Sequence, residues 1–500
     1  MNLTNEQKDI INCNDSVIII NAFAGASKTT TIVEWCKQRP NMKILYLVFG
    51  KAMADEAKRI FKSYTNVEVR TTHSLAYRKF GIKYKHKLTT SYKAIDCSRD
   101  LGLYDDYDIA NNVLSLFNKF LSSDYDKITD FVYDSLSHVK NKQKVQSLAK
   151  LCNELWSLSI DVQSDTPVTH DFYLKLYQMQ HEDLGKSYDV LIIEEAQDST
   201  MVVYDIFKSS ISCKNRIAIG DKHQSIFGFR NCVNLMQVVN DNFGNCTNLS
   251  LTGSFRINQP NADMCNILLG TFKHENNKML GYNVNQKVFS GRNLNFQMDN
   301  IGQFNIIARN NATILAHAIE ASQRGKWLYF EGGVKSYTFQ FYKDLYWFRA
   351  TGNTYNAELR RFDSWAELNQ YANDAEDVEL LSGINFINSY SKRVESLPDA
   401  IDKVFEYAIE DKNSASFCYC TAHKSKGLTL DKSTFIENDF LKLNGALSTL
   451  NDLIENYKST DVGERFLKSI EQEINLLYVA ITRAKGDLYL NEDLSDFFCI

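Results

Sequence analysis

The sequence predicts an α/β protein built on parallel sheets, and three observations predict it. Residues 16–20 form a short apolar run rich in β-branched side chains, which breaks at a small-residue loop and resumes as a helix at Lys28-Thr29-Thr30. A second apolar run, residues 188–193, ends abruptly in Glu194-Glu195. Residues 42–49, 67–74 and 216–220 read as further strands, each followed by a helix or by polar residues. Short continuous apolar runs suit strands covered on both faces. Their alternation with helices implies a doubly wound parallel sheet that binds ligands at its C-terminal edge.

The first corner carries the sharpest chemistry. A strand, a tight loop and Lys-Thr opening a helix is the layout of a phosphate-binding loop. Backbone N–H groups of Ala24, Gly25, Ala26, Ser27 and Thr30 would cradle phosphates, Lys28 would reach the β/γ-phosphates, and Thr29 would hold Mg²⁺. The usual pattern wants Gly where Ala22 and Ser27 stand, so an ordinary strand–loop–helix corner is the competing reading. At the second corner, one acid would hold the metal's water shell and the next would activate an attacking water. A lone acidic strand end is usually a solvated turn; the two corners together favour a nucleotide site. Gln7 precedes the first strand, and its carboxamide offers a donor and an acceptor to an adenine edge. Thr4 and Gln7 equally fit a helix capping box, the stronger reading on these residues alone.

Composition bounds the rest. Five hundred residues suffice for two to four domains. An apolar fraction of 44% and a charged fraction of 23% are those of a globular chain, and a net charge of −5 supplies no global basic field. A nucleic-acid site would therefore be a local groove that relies on stacking. Residues 1–8 lack the apolar run of a signal peptide, and no stretch approaches the ~20 apolar residues of a membrane span. The eleven cysteines are scattered except Cys418 and Cys420, whose one-residue spacing is wrong for a zinc knuckle. They read as reduced thiols in a cytosolic-type compartment. Abundant Lys, Asn, Tyr, Phe and Ile with four prolines suggests an AT-rich genome.

Along the chain, residues 1–79 and 186–250 read as a first core, interrupted by a helical insert at 80–185. A second α/β core spans 251–325 and 401–500, with strands at 304–309 and 415–421 and a late helix at 475–485. Residues 326–400, aromatic and charged, read as a small insert. Phe227, Phe229 and Arg230 follow a strand end and suit either the core or stacking on exposed bases.

Taken in order, these motifs resemble the UvrD/Rep-like branch of superfamily 1 DNA helicases, most of all the helicase region of the F-box DNA helicases. The resemblance runs nearly end to end. Its most specific tokens are Thr169-His170-Asp171-Phe172-Tyr173-Leu174-Lys175-Leu176-Tyr177 and Glu331-Gly332-Gly333-Val334-Lys335-Ser336-Tyr337. The sequence starts at the Gln7 motif with no F-box ahead of it, so no ubiquitin-ligase role is carried over. The resemblance implies two RecA-like cores using ATP and Mg²⁺. Gln7 and Phe255 would hold adenine, and Gly427 would lie at the nucleotide. Glu194 would stand at the metal and Glu195 would be the general base. Gln224, Arg256 and Arg483 would sense or stabilise the γ-phosphate. Phe49, Lys51, His73, Phe227, Phe229, Arg230, Thr421 and His423 would meet single-stranded DNA.

Three positions depart from the family pattern: Ser27 for Gly, Glu194 for Asp, and Thr429 for Glu. The resemblance implies a motor that moves 3′ to 5′ on single-stranded DNA and opens single-strand/duplex junctions, working as a monomer or weak oligomer. The implied location is cytoplasmic, or nuclear in a host that requires it, and the composition is compatible with a phage origin. A translocase that strips proteins from DNA, and a DNA-binding module with a decayed ATPase, are the alternatives.

Overall fold

The structure, a computed structural model, describes residues 3–103, 106–291, 302–374, 378–390, 396–456 and 461–500, with backbone alone at 229, 374, 378–379, 450–456 and 461–465. The chain divides into two compact units: Met1–Phe23 with Ser27–Thr252, and Ala24–Ala26 with Gly253–Ile500.

In the first unit, α1 (Asn5–Asn12) leads into β1 (Val17–Ala22), α2 (Lys28–Lys37), β2 (Ile44–Val48), α3 (Lys51–Ile60) and β3 (Val67–Thr71). The sheet resumes with β4 (Val190–Glu194), β5 (Asn215–Gly220) and β6 (Thr247–Leu251). The six strands are parallel in the order β3-β2-β4-β5-β1-β6. Every residue of β2 and β4 is buried, which is why both read as unbroken apolar runs rather than alternating ones. Because all strands run one way, the segments after β1, β2, β3, β4 and β5 emerge along one edge. Strand direction alone therefore gathers residues that are far apart in sequence.

Between β3 and β4 the chain is helical. Its longest members, α4 (Tyr107–Leu121) and α5 (Lys142–Ile160), bury Val113, Phe117, Phe120, Cys152, Leu155 and Trp156 in a core of their own with Phe172. Apolar positions three and four apart on Tyr107–Leu121 make the stripe that requires this packing. Lys175 is fully buried there and donates to the carbonyls of Ser123 and Tyr125 and to Gln178 Oε1. Burial lowers its ammonium to about 8 despite nearby aspartates.

The second unit opens with a short parallel pair, β7 (Gly253–Ser254) and β8 (Leu280–Gly281), and then repeats the plan. Its sheet, in the order β11-β12-β10-β13-β14-β9, joins β9 (Val288–Ser290), β10 (Phe304–Ala308), β11 (Leu328–Phe330), β12 (Phe417–Thr421), β13 (Thr434–Ile436) and β14 (Leu488–Leu490), all parallel. A core of Phe304, Ile306, Leu315 and Tyr419 continues into Leu345, Ile384 and Ile401 from the helices at 339–407.

Two expected boundaries move. The strand expected over 67–74 stops at Thr71, whose hydroxyl accepts the Ser74 N–H at 3.0 Å while Ser74 Oγ caps the Thr71 N–H. This reciprocal capping box turns the chain into a helix, Thr72–Lys79, and puts His73 in its first turn. The helix expected over 475–485 runs instead from Asp461 to Ile481, so Arg483 lies just past its end. All eleven cysteines are free, Cys418 and Cys420 being buried on β12. Among the described residues, no helix is long and apolar enough to cross a membrane.

Candidate nucleotide and nucleic-acid site

At the first corner Gly25 has φ +74°, and Ser27 sits in the left-handed region at φ 58°, ψ 42°. A side chain there costs about 1–2 kcal/mol relative to ordinary helical backbone. Serine at this usual glycine position is thus a backbone strain that the loop tolerates. Ser27 makes no side-chain cap bond, yet its carbonyl accepts the Thr31 N–H and Oγ1–H, each at 3.0 Å, and α2 starts normally. Ala24 and Ala26 are buried, and Thr30 is exposed.

The loop and the β4 end meet through paired contacts. Lys28 Nζ donates to Glu195 Oε1 at 2.7 Å, and Thr29 Oγ1 donates to Glu194 Oε1 at 2.9 Å. Burial by itself would depress Lys28, but Glu195, Asp221 and Glu194 together hold its ammonium above the usual lysine value. Glu194 moves upward because it is buried and then because Glu195 repels it, against the pull of Lys28. Burial and the adjacent Glu194 also push up the phenol of Tyr46. Several carboxylates thus crowd one ammonium. A hydroxyl and a carboxylate side by side form a hard oxygen donor set, suited to Mg²⁺ that keeps part of its water shell. The extra methylene of Glu194 does not take it out of reach of Thr29.

Gln224 closes a short turn after β5 and donates through Nε2 to Asp221 Oδ2 at 2.7 Å. The capping box of Thr4 and Gln7 is complete, and Gln7 Nε2 also reaches Thr31 Oγ1 at 3.2 Å, tying α1 to α2.

Further along the same edge, Phe49 and Phe227 stack with ring centroids 5.6 Å apart and 12° between planes, and the Arg230 guanidinium lies 5.4 Å over Phe227. Phe227 is only partly buried. The side chain of Phe229 lies outside the described residues. Lys51 is exposed at the start of α3. His73 Nε2 is 2.9 Å from Asp171 Oδ1. Burial would raise the Asp171 carboxyl, but His73, Arg230 and His170 outweigh it and hold it low. A cavity of about 680 Å³ is lined by Phe49, His73, Asp171, Glu194, Glu195 and Arg230, so the Phe49 ring and the two acids open into one space.

In the second unit, Arg256 and Arg483 converge on Thr482: Arg256 Nη1 donates to its carbonyl at 3.2 Å and Arg483 Nη2 to its hydroxyl at 3.3 Å. Arg483 is buried and also donates to the Val479 and Leu428 carbonyls. Phe255 is exposed beside Tyr282, with ring centroids 5.3 Å apart. Thr421 caps a short helix, Ala422–Ser425, by accepting the Lys424 N–H; His423 is half-buried on that helix. Gly427 has φ +84°, and Thr429 is exposed.

Residues 3–242 match the UvrD/REP helicase N-terminal domain. The chain thus carries a match to a UvrD/REP-type helicase domain over just under half of its length. It is 26% identical to F-box DNA helicase protein 1 of Schizosaccharomyces pombe over 536 aligned residues, which take in 100% of this chain and 58% of that protein. It is 28% identical to F-box DNA helicase 1 of Gallus gallus over 533 residues, 100% of this chain and 50% of that protein. A probable DNA helicase of Mycoplasma pneumoniae is 23% identical over 304 residues, 56% of this chain and 58% of that protein. The chain therefore spans between half and three fifths of the length of these relatives.

The motif residues were findable from sequence; the groups that hold them were not. Tyr46 beside Glu194, Gln197 between Glu195 and β5, Asp221 beneath Gln224 and Asp171 on His73 are all absent from the sequence expectations. A tyrosine in the otherwise aliphatic β2 and an aspartate opening the turn to Gln224 were the available signals.

Proposed function

We propose that the chain is an ATP-driven translocase on single-stranded DNA and a 3′–5′ DNA helicase. The observation that carries the reading is the double pairing of Lys28 with Glu195 and Thr29 with Glu194 beneath a helix start whose Ser27 makes no side-chain cap. Amides at the start of α2 and the Lys28 ammonium bind the phosphates. Thr29 and Glu194 hold Mg²⁺, which supplies charge neutralisation when bound. Glu195 takes the proton of the attacking water, and Gln224 orients against the terminal phosphate. By family resemblance Arg256 and Arg483 neutralise developing charge, and Gln7, Phe255 and Gly427 contact the nucleoside. Phe49, Phe227 and Arg230 offer stacking to bases, with Lys51, His73, Thr421 and His423 beside the strand. The direction of travel, the monomeric or weakly oligomeric state and the insert boundaries at 80–185 and 326–400 follow from the same resemblance.

The test is ATP hydrolysis with and without single-stranded DNA, followed by unwinding of duplexes tailed at either end. Turnover stimulated by DNA, with opening of the 3′-tailed substrate alone, is the expected result. Binding of ATP and DNA without turnover would leave a binding module. Turnover with filament clearance but no strand separation would leave the protein-stripping alternative.

A further inference from the structure

Gln197 is fully buried in the turn after β4, and both ends of its carboxamide are committed. Oε1 accepts the Asp221 N–H at 3.1 Å, while Nε2 donates to Glu195 Oε2 at 2.5 Å and to Asp198 Oδ2 at 3.3 Å. The chemistry fixes this orientation: the flipped amide would set NH₂ against an N–H and oxygen against a carboxylate. The Gln197 carbonyl also accepts Ser225 Oγ–H at 3.1 Å, so the residue is anchored to the segment after β5 by backbone and side chain together. Gly220, the last residue of β5, makes room for it. A Cβ there would stand 2.1 Å from Gln197 Oε1.

We propose that Gln197 is a positioning residue for hydrolysis: it clamps the carboxylate of Glu195 and ties it to the Asp221–Gln224 turn, so that base and phosphate sensor keep one register. Glu195 has its two oxygens on different partners, Oε1 on Lys28 and Oε2 on Gln197. When Lys28 turns to phosphate, the Gln197 amide still holds Oε2 of the carboxylate. The same bracket reaches Gln224, since Asp221 gives its N–H to Gln197 and accepts the Gln224 amide.

This inference rests on Glu195 being the general base, and the experiment separates the two. Gln197→Glu keeps the shape and replaces the donor with an acceptor. Gly220→Ala leaves Gln197 in place but drives its amide off. ATP affinity by fluorescence, melting temperature, and kcat and KM of DNA-stimulated turnover are measured for both, beside Glu195→Gln. Both variants should lose about 10- to 100-fold in kcat while ATP affinity stays within about threefold. Parent kcat in both variants, or a loss confined to melting temperature and ATP affinity, overturns the positioning role. If Glu195→Gln itself turns over at the parent rate, the base assignment falls and the inference with it.

Discussion

The two sheets of this chain share a parallel plan, yet the strand-to-helix corners after β1 and after β10 differ in how the helix start is satisfied. In the second unit, Asn310 caps the helix Asn311–Gln323 from extended backbone, its Oδ1 accepting the Thr313 N–H at 2.9 Å. Asp439 covers the two preceding N–H groups, those of Arg309 and Asn310, at 2.8 and 3.0 Å. The arginine turns away to a bidentate pair with Glu473. In the first unit, a longer loop enters α2 through left-handed Ser27, without a side-chain cap, and the following Lys28 faces buried acids. Burial raises carboxylates at both edges: Glu194 in the first, and Glu437, near Asp439, to about 7 in the second. Scaffold and buried acid are therefore common to the two. The difference lies in whether side chains close the helix start or leave its amides to an anion, and that contrast supports the phosphate site proposed at the first corner.

Breaking the first corner should have the largest effect. Lys28→Ala removes the ammonium facing the phosphates and no core packing, so DNA-stimulated hydrolysis should fall by at least about 100-fold in a folded protein. Asn310→Ala at the second corner should leave turnover per folded molecule at the parent level. Equal losses of turnover in the two variants would contradict the contrast.

The next effect lies on the stacked edge. Phe227→Ala should weaken single-strand binding by roughly 1–3 kcal/mol, with little change in its salt dependence, because the ring offers a base face rather than a charge. Normal binding per folded molecule with early melting would return Phe227 to a packing role.

The smallest effects have opposite signs. Asn310→Ala should cost about 1 kcal/mol of stability through the lost cap. Ser27→Gly relieves about 1–2 kcal/mol of left-handed strain while adding about 0.5–1 kcal/mol of chain entropy, for a net gain of about 0.5 kcal/mol. Urea unfolding of both variants checks the pair. A loss of stability in Ser27→Gly would mean that the serine contributes something its backbone angles do not show.

What the sequence made legible follows from where each signal resides. β1, β2 and β4 are sandwiched strands, so continuous apolar runs announced them. β6, Thr-Asn-Leu-Ser-Leu, is half polar with one residue fully buried, and the three-residue strands of the second sheet are too short for periodicity to register. Lys28, Thr29, Glu194 and Glu195 were visible because each stands next to a strand end. Gln197 and Asp221 were not, since their importance lies in a contact made across 24 residues between neighbouring strand ends. His73 reads as part of a strand because the β-branched pair Thr71-Thr72 straddles the strand end and the helix start, and only the capping box reveals the turn.

The central claim is that the first corner, with Ser27 and Glu194 as they stand, hydrolyses ATP. The most direct measurement compares the parent protein with Glu195→Gln for turnover in saturating single-stranded DNA, after ATP binding has been verified in both. The account predicts DNA-stimulated turnover in the parent and a loss of about 10²–10⁴-fold in the variant, with ATP affinity retained. A well-folded parent that binds ATP and DNA yet turns over no faster than Glu195→Gln would contradict it.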